Sequence, residues 1–298
     1  VSVGTEEQPP VALAHGVPLK QHHRVGPAEL AYVDAGPRDA PAVVLLHGFP
    51  THGHLWRHVV HALESSARLL APDLMGLGDT RVSPYEDFTA PMQAELLLDW
   101  FDDLGLDRAV LVGHEQGGAV AQQVVANHPE RVSGVVLVDT VAYGNWPIPF
   151  AAQVMRLART PGLDVLAYAL DLPRRFANNA RLGFRRAVCN NSVMTQDIID
   201  EYLRPLSTVE GRERARRFLL AGDSRYTLEC VPGLRAYDGP AAVVWGADDA
   251  FFSPSWGQRL VDDLPSAARL QLVPFCGHLV PEERPDAVVA AITGVLGA

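Results

Sequence analysis

Lysine is nearly missing from this chain of 298 residues: Lys20 is the only one, so almost all of the 25 basic residues are arginine. Acidic residues number 35 and the formal charge is −10, which argues against nucleic acid as a partner, because a phosphate backbone needs a basic face. Cysteine is scarce as well. Cys189, Cys230 and Cys276 are too few and too scattered for a disulfide framework or a zinc cluster, and their odd number fits free thiols in a reducing compartment. No run of 18 apolar residues occurs, and the opening VSVGTEEQPP lacks the apolar centre of a signal peptide. No membrane partner is expected, and the expected location is cytoplasmic.

What is present is an ordinary globular composition, 48% hydrophobic and 20% charged, long enough to bury a large core. Four short apolar runs each end in a suggestive loop. Residues 42–46 (AVVLL) lead into His47-Gly48-Phe49-Pro50, and 109–112 into Gly113-His114-Glu115-Gln116-Gly117-Gly118. Residues 135–138 lead into Asp139, and 241–245 into Gly246-Ala247-Asp248-Asp249. Such runs suit strands buried on both faces of a parallel sheet. A fifth run covers 270–273. Helical patterns at about 55–63, 90–104, 118–127, 255–264 and 285–296 complete an α/β alternation. The segments at 19–25 and 29–33 have no helix between them and predict an antiparallel entry pair.

From about 148 to 238 the alternation stops, and the sequence turns helical and arginine-rich, with 14 Arg against 10 Asp plus Glu. The expectation is a helical cap over 148–238, inserted into one α/β body formed by 1–147 and 239–298. The cap arginines are expected on solvated helix faces.

The stretch LVGHEQGG at 111–118 carries the most chemistry. A buried strand meeting a helix among small residues permits a sharp turn that lifts one side chain above the sheet, and Glu115 holds that raised position. The backbone N–H of Phe49 and that of Gln116, at the start of the next helix, together make an expected oxyanion hole. Asp249 then follows a strand end, and His278 follows the last strand. Nucleophile, acid and histidine come in the chain order of α/β-hydrolases.

HGFPTHGHLWR, APDLMGLGDT, GHEQGG, WGADD and CGHLVPEERP together resemble the α/β-hydrolase superfamily, in particular its epoxide hydrolase and haloalkane dehalogenase branch. The resemblance runs from about residue 25 to the end. It implies a mostly parallel twisted sheet flanked by helices, no metal or organic cofactor, and a small apolar or aromatic organic substrate. One departure matters: the family carries Asp or Ser where this chain has Glu115. The extra methylene moves the carboxylate oxygens by about 1.5 Å, and a misplacement of that size in a site built for Asp costs about a hundredfold in rate.

Carried over, the resemblance implies attack by ionised Glu115 on a strained or activated carbon, then hydrolysis of the glutamyl ester by water that His278, oriented by Asp249, deprotonates. Epoxide opening is the favoured reaction. Dehalogenases of the family place Trp after the nucleophile, or Arg where the substrate is fluoroacetate, and this chain has Gln116. Epoxide hydrolases protonate the opening alkoxide with cap tyrosines, for which Tyr168 and Tyr226 are the candidates, with Tyr202 and Tyr143 as further tyrosines nearby. Haloalkane dehalogenation is the nearest alternative, and a catalytically impaired or ligand-binding relative is the third.

Asp139 is the alternative acid, since some members place it there; Asp249 is favoured because its W-G-x-x-D pattern is complete. His47, Trp56 and Trp146 are candidates to line the pocket. His52, His54, His58 and His61 read as a solvated helix face, not a metal site. Asp73 with Gly76 and Gly78 reads as a turn, and His114 as a support for the elbow.

Overall fold

The computed structural model describes residues 19–160, 162, 170, 172–179, 181, 183–267 and 269–298. Eight strands form one sheet in the order β1-β2-β4-β3-β5-β6-β7-β8. They are β1 (Gln21–Val25), β2 (Ala28–Ala35), β3 (Ala42–Leu46), β4 (Arg68–Pro72), β5 (Ala109–His114), β6 (Val132–Val138), β7 (Ala241–Gly246) and β8 (Leu270–Val273). β1 pairs antiparallel with β2, and β2 with β4. Every other pairing is parallel. The α/β sheet and its antiparallel entry are as the sequence patterning predicts.

β5 and β6 are buried along almost their whole length, because helices cover both faces of the sheet. One apolar layer gathers α2 (Ala90–Asp103) and α3 (Gln116–Asn127). The other gathers α1 (Arg57–Leu63) and the last helix, Pro285–Leu296. Between β6 and β7 the described residues form helices only, among them Pro149–Ala158, Gln196–Leu203 and Val209–Ala221. The last of the segment, Ser224–Glu229 and Val231–Ala236, lies against α3: a Cβ at Gly233 would stand 2.5 Å from the Ala126 α-carbon. No helix among the described residues is long and apolar enough to cross a membrane.

Two features depart from the sequence expectations. β4 is a fully buried strand that opens on an arginine and closes on a proline; Arg68 is tolerated there because its Nε and Nη2 donate to both oxygens of Asp34 on β2, at 3.1 and 2.9 Å. His52 and His54 are buried, not solvated; only His58 and His61 face water. Both buried rings meet the Tyr202 ring edge-on, at 5.5 and 5.9 Å. The turn expected at Asp73 is present: its Oδ1 accepts the Gly53 N–H at 2.8 Å, and its Oδ2 accepts the Asp79 N–H at 2.7 Å and Lys20 Nζ at 2.6 Å.

Candidate active site

The parallel strands β3, β5, β6 and β7 end at one edge of the sheet, and the loops leaving that edge bring the candidate residues together. Glu115 sits between β5 and α3 with φ 51° and ψ −119°, a left-handed backbone that costs a non-glycine residue on the order of 1–3 kcal/mol. The strain lifts its side chain over the edge. Glu115 Oε2 accepts hydrogen bonds from the backbone N–H groups of Phe49, at 2.8 Å, and Gln116, at 2.7 Å. The two expected oxyanion donors therefore meet on one point, and the glutamate's own carboxylate occupies it. Among the described residues no hydrogen bond reaches Oε1.

Gly48 makes room for this arrangement. A Cβ there would lie 2.3 Å from Glu115 Oε2 and 2.4 Å from Glu115 Cβ. Gly48→Ala is expected to displace the carboxylate and lower kcat/KM by about a hundredfold, while circular dichroism shows the fold retained.

His278 is 6% exposed. Its Nδ1 donates to Asp249 Oδ2 at 2.9 Å, which assigns the proton to Nδ1 and leaves Nε2 as the basic nitrogen. Asp249 Oδ1 accepts the N–H groups of Phe251 and Phe252, at 2.7 and 3.0 Å, and both rings meet the imidazole edge-on. His114 donates from Nε2 to the His278 carbonyl at 2.9 Å. It thereby ties the elbow to the histidine loop, extending the support expected of it. Asp139 is wholly buried and also stands at this group: its nearest carboxylate oxygen, one of Asp249 and a His278 nitrogen lie within 4.8 Å of one another. The direct bond to His278 belongs to Asp249.

Burial pushes the Glu115 carboxyl up to about 7, against the lowering pull of His278 and the two backbone N–H groups. Burial opposes a charge on His278, but Asp249 and Glu115 outweigh it and its pKa is raised. Burial thus favours the neutral acid at Glu115, while the carboxylates around His278 favour its protonated form.

The other candidates separate. His47 is buried with no exposure: its Nδ1 meets the Gly48 carbonyl at 3.1 Å, its Nε2 accepts the Leu74 N–H at 2.9 Å, and burial lowers its pKa to about 4. It is a neutral brace for the loop that carries Phe49. Trp56 is equally buried, in the layer on α1. Neither is among the residues that line the cavity beside Gln116. The cavity beside Gln116 is lined by Phe88, Val120, Val141, Phe218 and Tyr226, so its walls are largely apolar. The Tyr226 hydroxyl accepts a hydrogen bond from Arg225 Nη2 at 2.8 Å. Tyr168 lies outside the described residues. Tyr202 is buried on Glu282, and Tyr143 donates to Asp263 at 2.8 Å.

Trp146 stands apart. Its indole N–H is buried without a partner among the described residues. A Cβ at Gly222 would lie 2.6 Å from Trp146 Nε1 and 3.3 Å from Gln116 Nε2, so two N–H donors converge on the space that Gly222 leaves open. Sequence reasoning did not find this pairing, because Gly222 follows the helix Val209–Ala221 and reads as an ordinary helix terminator.

A strained elbow, an oxyanion pair and an Asp–His couple on the loops of a parallel sheet are the machinery of a known fold. The alpha/beta hydrolase fold family matches residues 41–285. This chain belongs to that family. The hydrolase is similar to a soluble epoxide hydrolase of Corynebacterium sp. (strain C12), 27% identical over 90% of this chain and 94% of the relative. It is also similar to haloalkane dehalogenase 2 of Mycobacterium tuberculosis (strain ATCC 25618 / H37Rv), 28% identical over 88% of this chain and 89% of the relative. Among solved structures, an alpha/beta hydrolase fold protein from Burkholderia ambifaria covers 92% of this chain and 100% of its own at 25% identity, with a TM-score of 0.77. A thermophilic esterase from Thermogutta terrifontis covers 93% and 98% at 25% identity, with a TM-score of 0.73.

Proposed function

We propose that this hydrolase opens epoxides of small apolar or aromatic compounds through a covalent glutamyl ester. The observation that carries the reading is the asymmetry of Glu115: Oε2 is held by two backbone N–H groups, while Oε1 is unbonded among the described residues. Oε1 attacks a ring carbon, the carbon–oxygen bond of the epoxide breaks, and the alkoxide takes up a proton. His278 Nε2 then removes a proton from water, and the hydroxide adds to the ester carbonyl. The tetrahedral oxyanion develops on Oε2, where the N–H groups of Phe49 and Gln116 already point. Collapse expels the diol, whose leaving oxygen takes the His278 imidazolium proton; Glu115 is left as the acid, and its proton is returned to the donor that protonated the first alkoxide, which restores the carboxylate. The helices of 148–238 act as the cap that closes the site, and Tyr168 remains our candidate donor to the alkoxide. The location we propose is the cytoplasm, with neither nucleic acid nor membrane as partner.

Haloalkane dehalogenation is the second reading, favoured by one observation: Trp146 Nε1 and Gln116 Nε2 can hold a departing halide without yielding a proton.

His278→Gln tests both. The first half-reaction then proceeds and the second does not, so mass analysis of the peptide containing Glu115 should show it heavier by one whole epoxide, or under the second reading by the alkyl group without its halide. In single turnover of the unaltered enzyme in ¹⁸O-water, the first diol should be unlabelled and the label should enter Glu115. Label in that first diol would reject the ester. Halide release without diol formation would install the second reading, and tight binding with no adduct would identify a ligand-binding protein.

The pH profile follows from the Glu115 value of about 7. Only the carboxylate attacks, so kcat/KM is expected to fall about tenfold per unit below an apparent midpoint near 7. That midpoint belongs to the Glu115–His278 pair. A profile flat from pH 5 to 8 would contradict the assignment.

A further inference from the structure

Behind His278 stand two buried aspartates where one would suffice. Asp249 has three donors on its two oxygens: the N–H groups of Phe251 and Phe252 on Oδ1, and His278 Nδ1 on Oδ2. Asp139 has one. Its Oδ1 accepts the Gly246 N–H at 2.8 Å, and its Oδ2 is buried with no donor among the described residues. The two carboxyl groups offer oxygens within 4.8 Å of each other and of His278.

A carboxylate oxygen buried without a donor is costly, and two neighbouring carboxylates resist ionising together. The donor counts decide which one is charged. Three N–H groups stabilise only the anion at Asp249, whereas an Asp139 Oδ2 that lacks a donor is satisfied by becoming one. We propose that Asp139 and Asp249 share a single proton, carried on Asp139 Oδ2 and donated to Asp249, so that a neutral acid stands behind the catalytic pair. The other groups facing Asp139 agree with this. Glu283, whose oxygens accept the N–H groups of Cys189, Asn190 and Gly277, adds negative charge nearby, and burial together with Asp249 raises the Asp139 pKa well above the ordinary carboxylate range. His278 is the nearest positive group when protonated, and its bond goes to Asp249. Cys276, on the same loop as His278, is held protonated by burial.

Asp139 is thus a positioning residue. Its O–H draws electron density from Asp249 and so moderates the proton affinity of His278, which must both take a proton from water and return it to the leaving alcohol. A second anion in its place would oppose the ionisation of Glu115. This consequence rests on His278 as the water-activating base. The shared proton does not, and it is measurable without turnover.

Infrared spectroscopy of the full chain at pH 9, where Glu115 is ionised, should show the carbonyl stretch of a protonated carboxylic acid that shifts in D₂O. Glu115→Gln should keep the band and Asp139→Asn should lose it. By NMR of the imidazole, Asp139→Ala, which has no donor, should raise the His278 pKa by about one unit relative to Asp139→Asn, whose amide still donates to Asp249. Absence of the band in the unaltered enzyme, its survival in Asp139→Asn, or equal His278 pKa values in the two variants would overturn the proposal.

Discussion

Glu115→Gln is expected to lower kcat/KM by at least about 10⁴-fold, the scale on which hydrolases lose rate when the nucleophile is removed, and at the same time to make the protein more stable above pH 7. The amide keeps an oxygen for the N–H groups of Phe49 and Gln116 but cannot form the ester. The stability gain follows from linkage. An unfolded glutamate ionises near 4.5 and the folded Glu115 at about 7, so the folded state binds this proton more tightly. Its stabilising contribution is complete below 4.5 and is lost as pH rises through 7. The difference of about 2.5 units corresponds to about 3 kcal/mol. Denaturant unfolding should therefore find the variant and the unaltered protein alike at pH 4 in this respect, and the variant more stable by about 2–3 kcal/mol at pH 9. Equal stabilities at pH 9 would mean that Glu115 is not buried as an anion.

Glu282→Ala is expected to destabilise the fold by about 3–5 kcal/mol, a fall in Tm of roughly 5–8 °C for a chain of this size. The Glu282 side chain is fully buried, and its two oxygens accept Arg57 Nη1 and Nη2, each at 2.6 Å. Oε1 also accepts the Tyr202 hydroxyl. Arg57 lies on α1, Glu282 on the short helix Val280–Glu283 just after His278, and Tyr202 on the helix Gln196–Leu203 of the insertion. One carboxylate therefore ties the insertion to both flanks of the site. Its removal strands a buried guanidinium, the expensive way to break an ion pair. Replacing both charges, as Arg57→Met with Glu282→Leu, is expected to recover most of the loss. Tyr202→Phe, which keeps the packing against Phe184 at 5.3 Å, should cost only about 1–2 kcal/mol. A Glu282→Ala variant within 1 kcal/mol of the parent protein would show that water reaches Arg57.

The patterning of apolar residues carried much of this architecture. β3, β5, β6 and β7 are short, nearly continuous apolar runs rich in valine, the composition of strands buried on both faces. β4 escaped because Arg68-Leu-Leu-Ala-Pro72 is short, charged at one end and closed by proline; only Asp34, on another strand, makes Arg68 acceptable inside. The histidines misled for a related reason. His52 and His54 are buried by Tyr202, about 150 residues away, and nothing local announces that cover.

The sequence by itself set Glu115, Asp249 and His278 in the chain order of the α/β-hydrolases, each after a strand whose apolar run marks where the chain turns, with Asp139 as the alternative acid. Distances between those loops depend on strand order and register, which are long-range. Tertiary structure alone decided that Phe49 and Gln116 meet on one oxygen of Glu115, that Asp249 and not Asp139 holds His278, and that Trp146 and Gln116 face a common gap over Gly222. It also decided that Asp139, at the end of β6, stands beside Asp249 after β7. Parallel pairing of Val138 with Val244 sets those two strand ends side by side, and burial then leaves room for only one negative charge between them.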